Sequence, residues 1–163
     1  MATRAVLLPY AAEFPATNFP ALTLVNRRPA LAFDASTDET CYWTGVAPQG
    51  MTGTLSIVIS YVMASATSGT VGFQAQIEAI TDGDSTDLDA TTSFDSVNNS
   101  ASTTVPGTAG YIDQISITLT NADSLAVADY FRLSLNRDAD GSAITDSATG
   151  DVYVLSVEWR DGA

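Results

Sequence analysis

The sequence predicts an all-β chain, an antiparallel β-sandwich with an extended N-terminal arm. Three observations lead there. From residue 30 onward, apolar residues recur with period two in one run after another, as they do in strands that bury one face. The breaks between runs are rich in Gly, Asp, Ser, Thr and Asn, whose short side chains bond back to the backbone in turns. A chain of 163 residues with 45% apolar composition is long enough for one sandwich and too short for two full domains.

Residues 1–29 are read as the arm. Pro9, Pro15, Pro20 and Pro29 break up scattered apolar and aromatic residues, and no periodicity is sustained between them. Its aromatics Tyr10, Phe14 and Phe19, with Arg27 and Arg28, form the expected interface: apolar anchors beside two of only six positive charges.

Residues 30–163 are read as the sandwich domain. Runs at 31–33 and 40–46 open it. Leu55, Ile57, Ile59, Tyr61 and Met63 then alternate with Ser56, Val58, Ser60 and Val62, followed by Val71, Phe73, Ala75, Ile77 and Ala79 alternating with Gly72, Gln74, Gln76 and Glu78. With Ser68-Gly69 as the turn, these two runs predict an antiparallel hairpin. Val58 and Val62, on the outer face, predict a partner subunit to cover them. A weaker run lies at 93–97, a single helical turn is expected at 123–127, and strands follow at Ile115, Ile117 and Leu119, at Phe131, Leu133 and Leu135, and at Tyr153, Leu155, Val157 and Trp159. About eight strands with turns every dozen residues favour a jelly roll, which uses eight strands in two Greek keys, over an immunoglobulin-like sandwich with its Cys-Trp-Cys pattern.

The inventory of reactive side chains excludes much chemistry. There is no histidine and no lysine, and Cys41 is the single cysteine. Ser-His-Asp and Cys-His pairs, Schiff bases, P-loops, thiolate zinc sites and intrachain disulfides are therefore unavailable. Cys41 sits in an apolar run and reads as a small buried hydrophobe. The net charge of −13 repels polyphosphate, so neither nucleic acid nor an anionic membrane is expected as a partner. No run approaches the length of a membrane span or signal core, which predicts synthesis and assembly in the cytoplasm. The acidic clusters Asp82, Asp84, Asp87, Asp89 and Asp138, Asp140, Asp146 carry the oxygen ligands calcium uses. They lack EF-hand spacing and read as solvated turns, so no metal, cofactor or catalytic residue is assigned. Tyr42, Trp43, Tyr61 and Trp159 are the aromatic platforms on which a sugar would stack, with Tyr61 and Trp159 placed in the core by strand parity.

The segment Arg27-Arg28-Pro29-Ala30-Leu31-Ala32-Phe33-Asp34, then Thr37-Asp38-Glu39-Thr40 and the long hairpin through Ile80, resembles short virion proteins of tailed bacteriophages. The closing pattern Tyr130-Phe131-Arg132-Leu133, Arg137-Asp138-Ala139-Asp140 and Thr149-Gly150-Asp151-Val152-Tyr153 is similar to the last hairpin of the same group. The resemblance implies a non-enzymatic structural role without cofactors. Its first form is a jelly-roll capsid decoration (cement) protein, a homotrimer bound to the major capsid protein lattice on the phage head. Its second is a tail or fibre module that binds host glycan.

Overall fold

Period-two runs become ladders here because each has a facing sheet to cover its apolar side. The computed structural model describes residues 1–90 and 92–162. Its strands are β1 (Ala2–Leu7), β2 (Ala21–Val25), β3 (Arg28–Phe33), β4 (Glu39–Val46), β5 (Leu55–Met63), β6 (Thr70–Val71), β7 (Phe73–Ile80), β8 (Asn98–Asn99), β9 (Thr103–Thr104), β10 (Ile112–Thr118), β11 (Tyr130–Arg137) and β12 (Val152–Asp161). The large sheet has the order β10-β5-β12-β3-β2, with β1 also on β12; the small sheet has the order β4-β11-β7-β8, and β6 pairs with β9. The protein is an antiparallel, jelly-roll-like β-sandwich. Among the described residues no helix is long and apolar enough to cross a membrane.

The core lies between the inward rows of the two sheets. Leu31, Phe33, Ile57, Ile59, Tyr61, Val157 and Trp159 face Cys41, Trp43, Phe73, Ile77, Leu133 and Leu135 across it, all buried. Each large side chain removed from water there contributes about 1.5–3 kcal/mol. Phe33 meets Phe73 edge-on, with ring centroids 5.5 Å apart, and Phe131 packs on Trp159 at 4.8 Å. Tyr61 and Trp159 are core residues as their parity predicts.

Several expectations are corrected. The runs at 55–63 and 71–79 form no hairpin: β5 pairs with β10 and β12, whereas β7 pairs with β11 and β8. The chain crosses from one sheet to the other between them, so their apolar faces meet across the core. Alternation alone does not distinguish these arrangements, because both bury the same residues. β11 and β12 likewise lie in opposite sheets, so the closing pattern is no hairpin either. In β12 the register shifts between Val154 and Ser156. This bulge flips the side-chain parity, so Val152, Val154, Val157 and Trp159 are buried while Tyr153 and Leu155 are not. Val58 and Val62 need no second subunit, being 4% and 5% exposed within a strand flanked on both sides. Residues 123–127 form no helical turn, since Asp123 and Ser124 have φ of 51° and 56°, on the left-handed side. The run at 93–97 is not a strand; the ladder begins at Asn98.

The N-terminal segment is extended, yet it is laid into its own sandwich. β1 pairs along the C-terminal half of β12 and β2 pairs with β3. Between them, Glu13 exchanges two backbone hydrogen bonds with Tyr42 and the Thr40 N–H donates to the Asn18 carbonyl. These bonds satisfy backbone groups along the outer edge of β4 that would otherwise template another strand. The prolines divide the segment into pieces too short to show a period.

One end of the sandwich is closed by Arg137, fully buried at the end of β11. Its guanidinium makes a bidentate pair with Asp146 at 2.9 Å on each arm and donates to the carbonyls of Asp34, Ala148 and Gly150. Neighbouring Asp138 accepts from the Ala143 and Ile144 N–H groups and so shapes the loop that delivers Asp146. Gly72 lies under this loop, where a Cβ would come within 2.5 Å of Ile144.

Two outcomes are expected. Asp146→Ala leaves a buried guanidinium without its counter-charge, and urea unfolding should show a loss of about 3–5 kcal/mol. Deleting residues 1–20 strips β1 from β12 and uncovers the β4 edge, so the thermal midpoint should fall by several degrees or more; an unchanged midpoint would show the segment to be dispensable.

Candidate functional site

The small sheet turns one face to the core and the other outward, and the outward face is an ordered grid. Register across β4, β11 and β7 sets side chains in four rows: Thr40, Asn136 and Gln74; Tyr42, Ser134 and Gln76; Thr44, Arg132 and Glu78; Val46, Tyr130 and Ile80. The first two rows carry no charge. The third is charged and the fourth apolar.

The connection from β7 to β8 folds back over this face. Glu78, which alternation sets on the outer face, is only 4% exposed there, and Ser93 donates to its Oε1 from both N–H and hydroxyl. Phe94 lies stacked on Tyr42 at 5.9 Å, and the Arg132 guanidinium sits 4.2 Å from the centre of the Tyr42 ring. Asp95 holds the segment by accepting from the Ser96 and Asp123 N–H groups, which keeps its carboxyl below the usual range.

Two shallow grooves result, one on each side of the Tyr42–Phe94–Arg132 stack. The first, of about 170 Å³, has Thr40, Asn136, Gln74, Gln76 and Ser134 in its lining, with Tyr42, Phe94 and Val97 as its apolar wall. The second, of about 150 Å³, is lined by Glu13, Thr44, Glu78, Leu88, Tyr130 and Arg132. Both fall below the volume of enclosed small-molecule pockets, about 300–1,000 Å³. They suit a ligand lying on the surface.

The polar groups of the first groove are held in place. Gln74 donates to Asn99 Oδ1, Gln76 to the Asp95 carbonyl, and Asn136 Nδ2 to Thr40 Oγ1. Among the described residues, two polar atoms on this face are closed to solvent and have no hydrogen-bond partner, the acceptor Asn136 Oδ1 and the donor Arg132 Nε. Leaving such a group unpaired costs about 1–3 kcal/mol.

The other expected residues fall elsewhere. Tyr10, Phe14, Phe19, Arg27 and Arg28 are exposed, Phe14 and Phe19 resting on each other at 5.5 Å, but none lines either groove. Trp43, Tyr61 and Trp159 are shut in the core, which leaves Tyr42 as the outward platform. Phe94, Asn136 and Arg132 were missed as site residues. Alternation marks 132 and 136 as outward, and nothing in the sequence brings residue 94 over residue 42. Cys41 is buried, and burial pushes its thiol well up, as a small hydrophobe requires. Asp146 of the second acidic cluster belongs to Arg137. Asp38, Asp138 and Asp140 bring carboxylate oxygens within 4.8 Å of one another, where Asp38 accepts from the Asp140 N–H. In the first cluster Asp84 and Asp87 accept from the Thr81 and Asp89 N–H groups in local turns.

No family model matches the chain, and no curated protein matches it in sequence. Among solved structures, one concerning the promiscuous specificity of carbohydrate-binding modules from the β-sandwich superfamily superposes with a TM-score of 0.43 at 10% identity, over 93% of this chain and 57% of its own. The chain thus spans little more than half of that structure's length. A carbohydrate-binding module in complex with β-1,4-galactotriose superposes with a TM-score of 0.40 at 8% identity, over 97% of this chain and 88% of its own.

The carboxyls yield a prediction on pH. Asp34, Asp95, Asp140, Glu158 and Asp161 are all held low, chiefly by hydrogen bonds from Ser36, Asp123, Ser142, Arg160 and Arg4 respectively. Glu39 is raised, by burial. A group depressed in the folded state binds fewer protons there than in the unfolded chain, so its stabilisation is complete above the ordinary carboxylate range and is lost as pH falls through it. Thermal midpoints should be nearly flat from neutral to about pH 5 and decline below about pH 4.

Proposed function

We propose that this β-sandwich is a non-catalytic carbohydrate-binding module and that the outer face of its small sheet takes a neutral glycan. The observation that carries this reading is the first groove itself, built from hydroxyls, fixed amides and an aromatic wall of Tyr42 and Phe94. A sugar hydroxyl both donates and accepts, which suits a groove of uncharged amides and hydroxyls. A carboxylate or phosphate would meet Glu13, Glu78 and a chain of net charge −13. The apolar wall supplies a surface for the C–H face of a sugar ring.

Of the two roles implied by the phage resemblance, this favours the glycan-binding tail or fibre module. The interface expected for the capsid decoration role lay on residues 1–29, whose strands β1 and β2 pair within their own sandwich.

Electrophoresis through gels containing neutral polysaccharides (glucan, mannan, xylan or galactan) should retard the protein in at least one. Asn136→Ala should weaken that interaction several-fold, equivalent to about 1 kcal/mol, with the thermal midpoint retained. Free migration in every gel would overturn the reading, and release of reducing sugar from the retarding polymer would overturn its non-catalytic part.

A further inference from the structure

β2 is the last strand of the large sheet, and among the described residues no strand lies beyond it. The two-residue turn at Asn26 and Arg27 closes the β2–β3 hairpin, with Val25 opposite Arg28. Such a turn makes Val25 and Arg28 a hydrogen-bonded pair, and alternation then directs the N–H and C=O groups of Ala21, Thr23 and Val25 to β3 and those of Leu22 and Leu24 outward. The edge carries none of the usual guards, since residues 21–25 contain no charge, no proline and no bulge. By contrast, β4 has Glu13 and Asn18 bonded along its outer edge, β8 is two residues long, and β10 contains Asp113. The side chains of Leu22 and Leu24 lie opposite Leu31 and Pro29 and so continue the core-facing row of the large sheet, yet they are 54% and 66% exposed.

We propose that β2 pairs antiparallel with β2 of a second copy of this chain, joining two large sheets into one across a two-fold axis at Thr23. Such an edge is self-complementary. With Thr23 on the axis, Leu22 of each copy stands opposite Leu24 of the other, and the outward N–H and C=O groups of these residues exchange hydrogen bonds as a ladder pair. The four leucines then cover one another on the core-facing side. Charge selects this orientation. Among the described residues Arg4, Arg137 and Arg160 are paired with carboxylates and Arg132 lies over Tyr42, whereas Arg27 and Arg28 are exposed at the hairpin tip with no ion pair. The other end of the same hairpin is acidic, because β3 runs into Asp34, and Asp38 and Glu39 follow. Antiparallel pairing sets the basic tip of each copy beside the acidic end of the other, with Arg27 and Asp34 two strand spacings apart, about 10 Å between backbones, which their side chains close. The turn at Asp34 occupies its Oδ1 with Ser36 and Thr37, leaving Oδ2 for the guanidinium. A parallel arrangement would set tip against tip.

Sedimentation equilibrium of the full chain across the micromolar range should show a monomer–dimer equilibrium, the heavier species having twice the chain mass of 17.0 kDa. In concentrated samples, where the dimer prevails, the amides of Leu22 and Leu24 should exchange with deuterated solvent at least about tenfold more slowly than in dilute ones. Leu24→Lys places a charge on the edge and should weaken dimerisation at least about tenfold, with the thermal midpoint of the dilute protein retained. Arg27→Gly should weaken it several-fold, although glycine suits a φ of 69° better than arginine does and should keep or raise that midpoint. A purely structural role for Arg27 does not pair a sounder hairpin with weaker association. A monomer at every concentration would overturn the proposal, as would a trimer or a dimer indifferent to either substitution. Equal exchange at the two amides in dilute and concentrated samples would overturn it as well.

Discussion

The buried guanidinium of Arg137 is the constraint around which one end of this molecule is organised. A positive charge wholly removed from water is tolerable only where every donor meets an acceptor and a counter-charge lies in contact. Asp146 and the carbonyls of Asp34, Ala148 and Gly150 meet that demand, and they come from β3's end and from the loop between β11 and β12. The residue therefore ties the small sheet to the large one at a place where the apolar core has run out. Gly150 belongs to the same arrangement, since a Cβ there would come within 2.8 Å of Ser65 Oγ. Asn136 is the preceding residue on β11 and points the opposite way, so the anchor that fixes Arg137 in the interior also fixes the backbone that presents Asn136 to the first groove.

The outer face follows a different logic. Its side chains are polar without being covered by another sheet, and the connection from β7 to β8, through Ser93 and Phe94, shields part of them. That connection is braced by hydrogen bonds from both directions: Glu78 accepts from Ser93, and Asp95 accepts from Asp123. Asp123 then accepts the Ala79 N–H with its own carboxylate from a left-handed backbone. A non-glycine residue held there costs about 1–3 kcal/mol unless its surroundings enforce it, and here the bracing network does. The bonds that hold this strained backbone thus also keep the aromatic of another loop over Tyr42.

Much of this architecture was legible from the sequence. Alternation found the long strands β4, β5, β7, β10, β11 and β12 because a half-buried strand writes its parity into composition. It could not assign strands to sheets, since β5 and β7 bury the same residues whether they pair or face one another. It also failed where parity breaks, at the Val154–Ser156 bulge, and where strands are short or interrupted, as in β1 and β2. The β2–β3 turn shows why. Its central residues Asn26 and Arg27 have φ of 45° and 69°, as a two-residue hairpin turn requires, yet arginine gives no hint of that conformation as glycine would. The site was harder still. Tyr42 could be named as a platform, but its partners depend on a loop crossing from residue 94 and on register between strands about 90 residues apart in sequence.

β12 pairs along one edge with β3 and then with β1, so the first strand of the chain is completed only by the last. During synthesis at about 5–20 residues per second, β1 waits on the order of ten to thirty seconds for its partner to leave the ribosome. Throughout that interval β5 also lacks one neighbour, and its apolar row has no finished sheet beside it. The large sheet is therefore joined into one only once β12 is available to lie between β5 and β3, and until then those strand edges stay open.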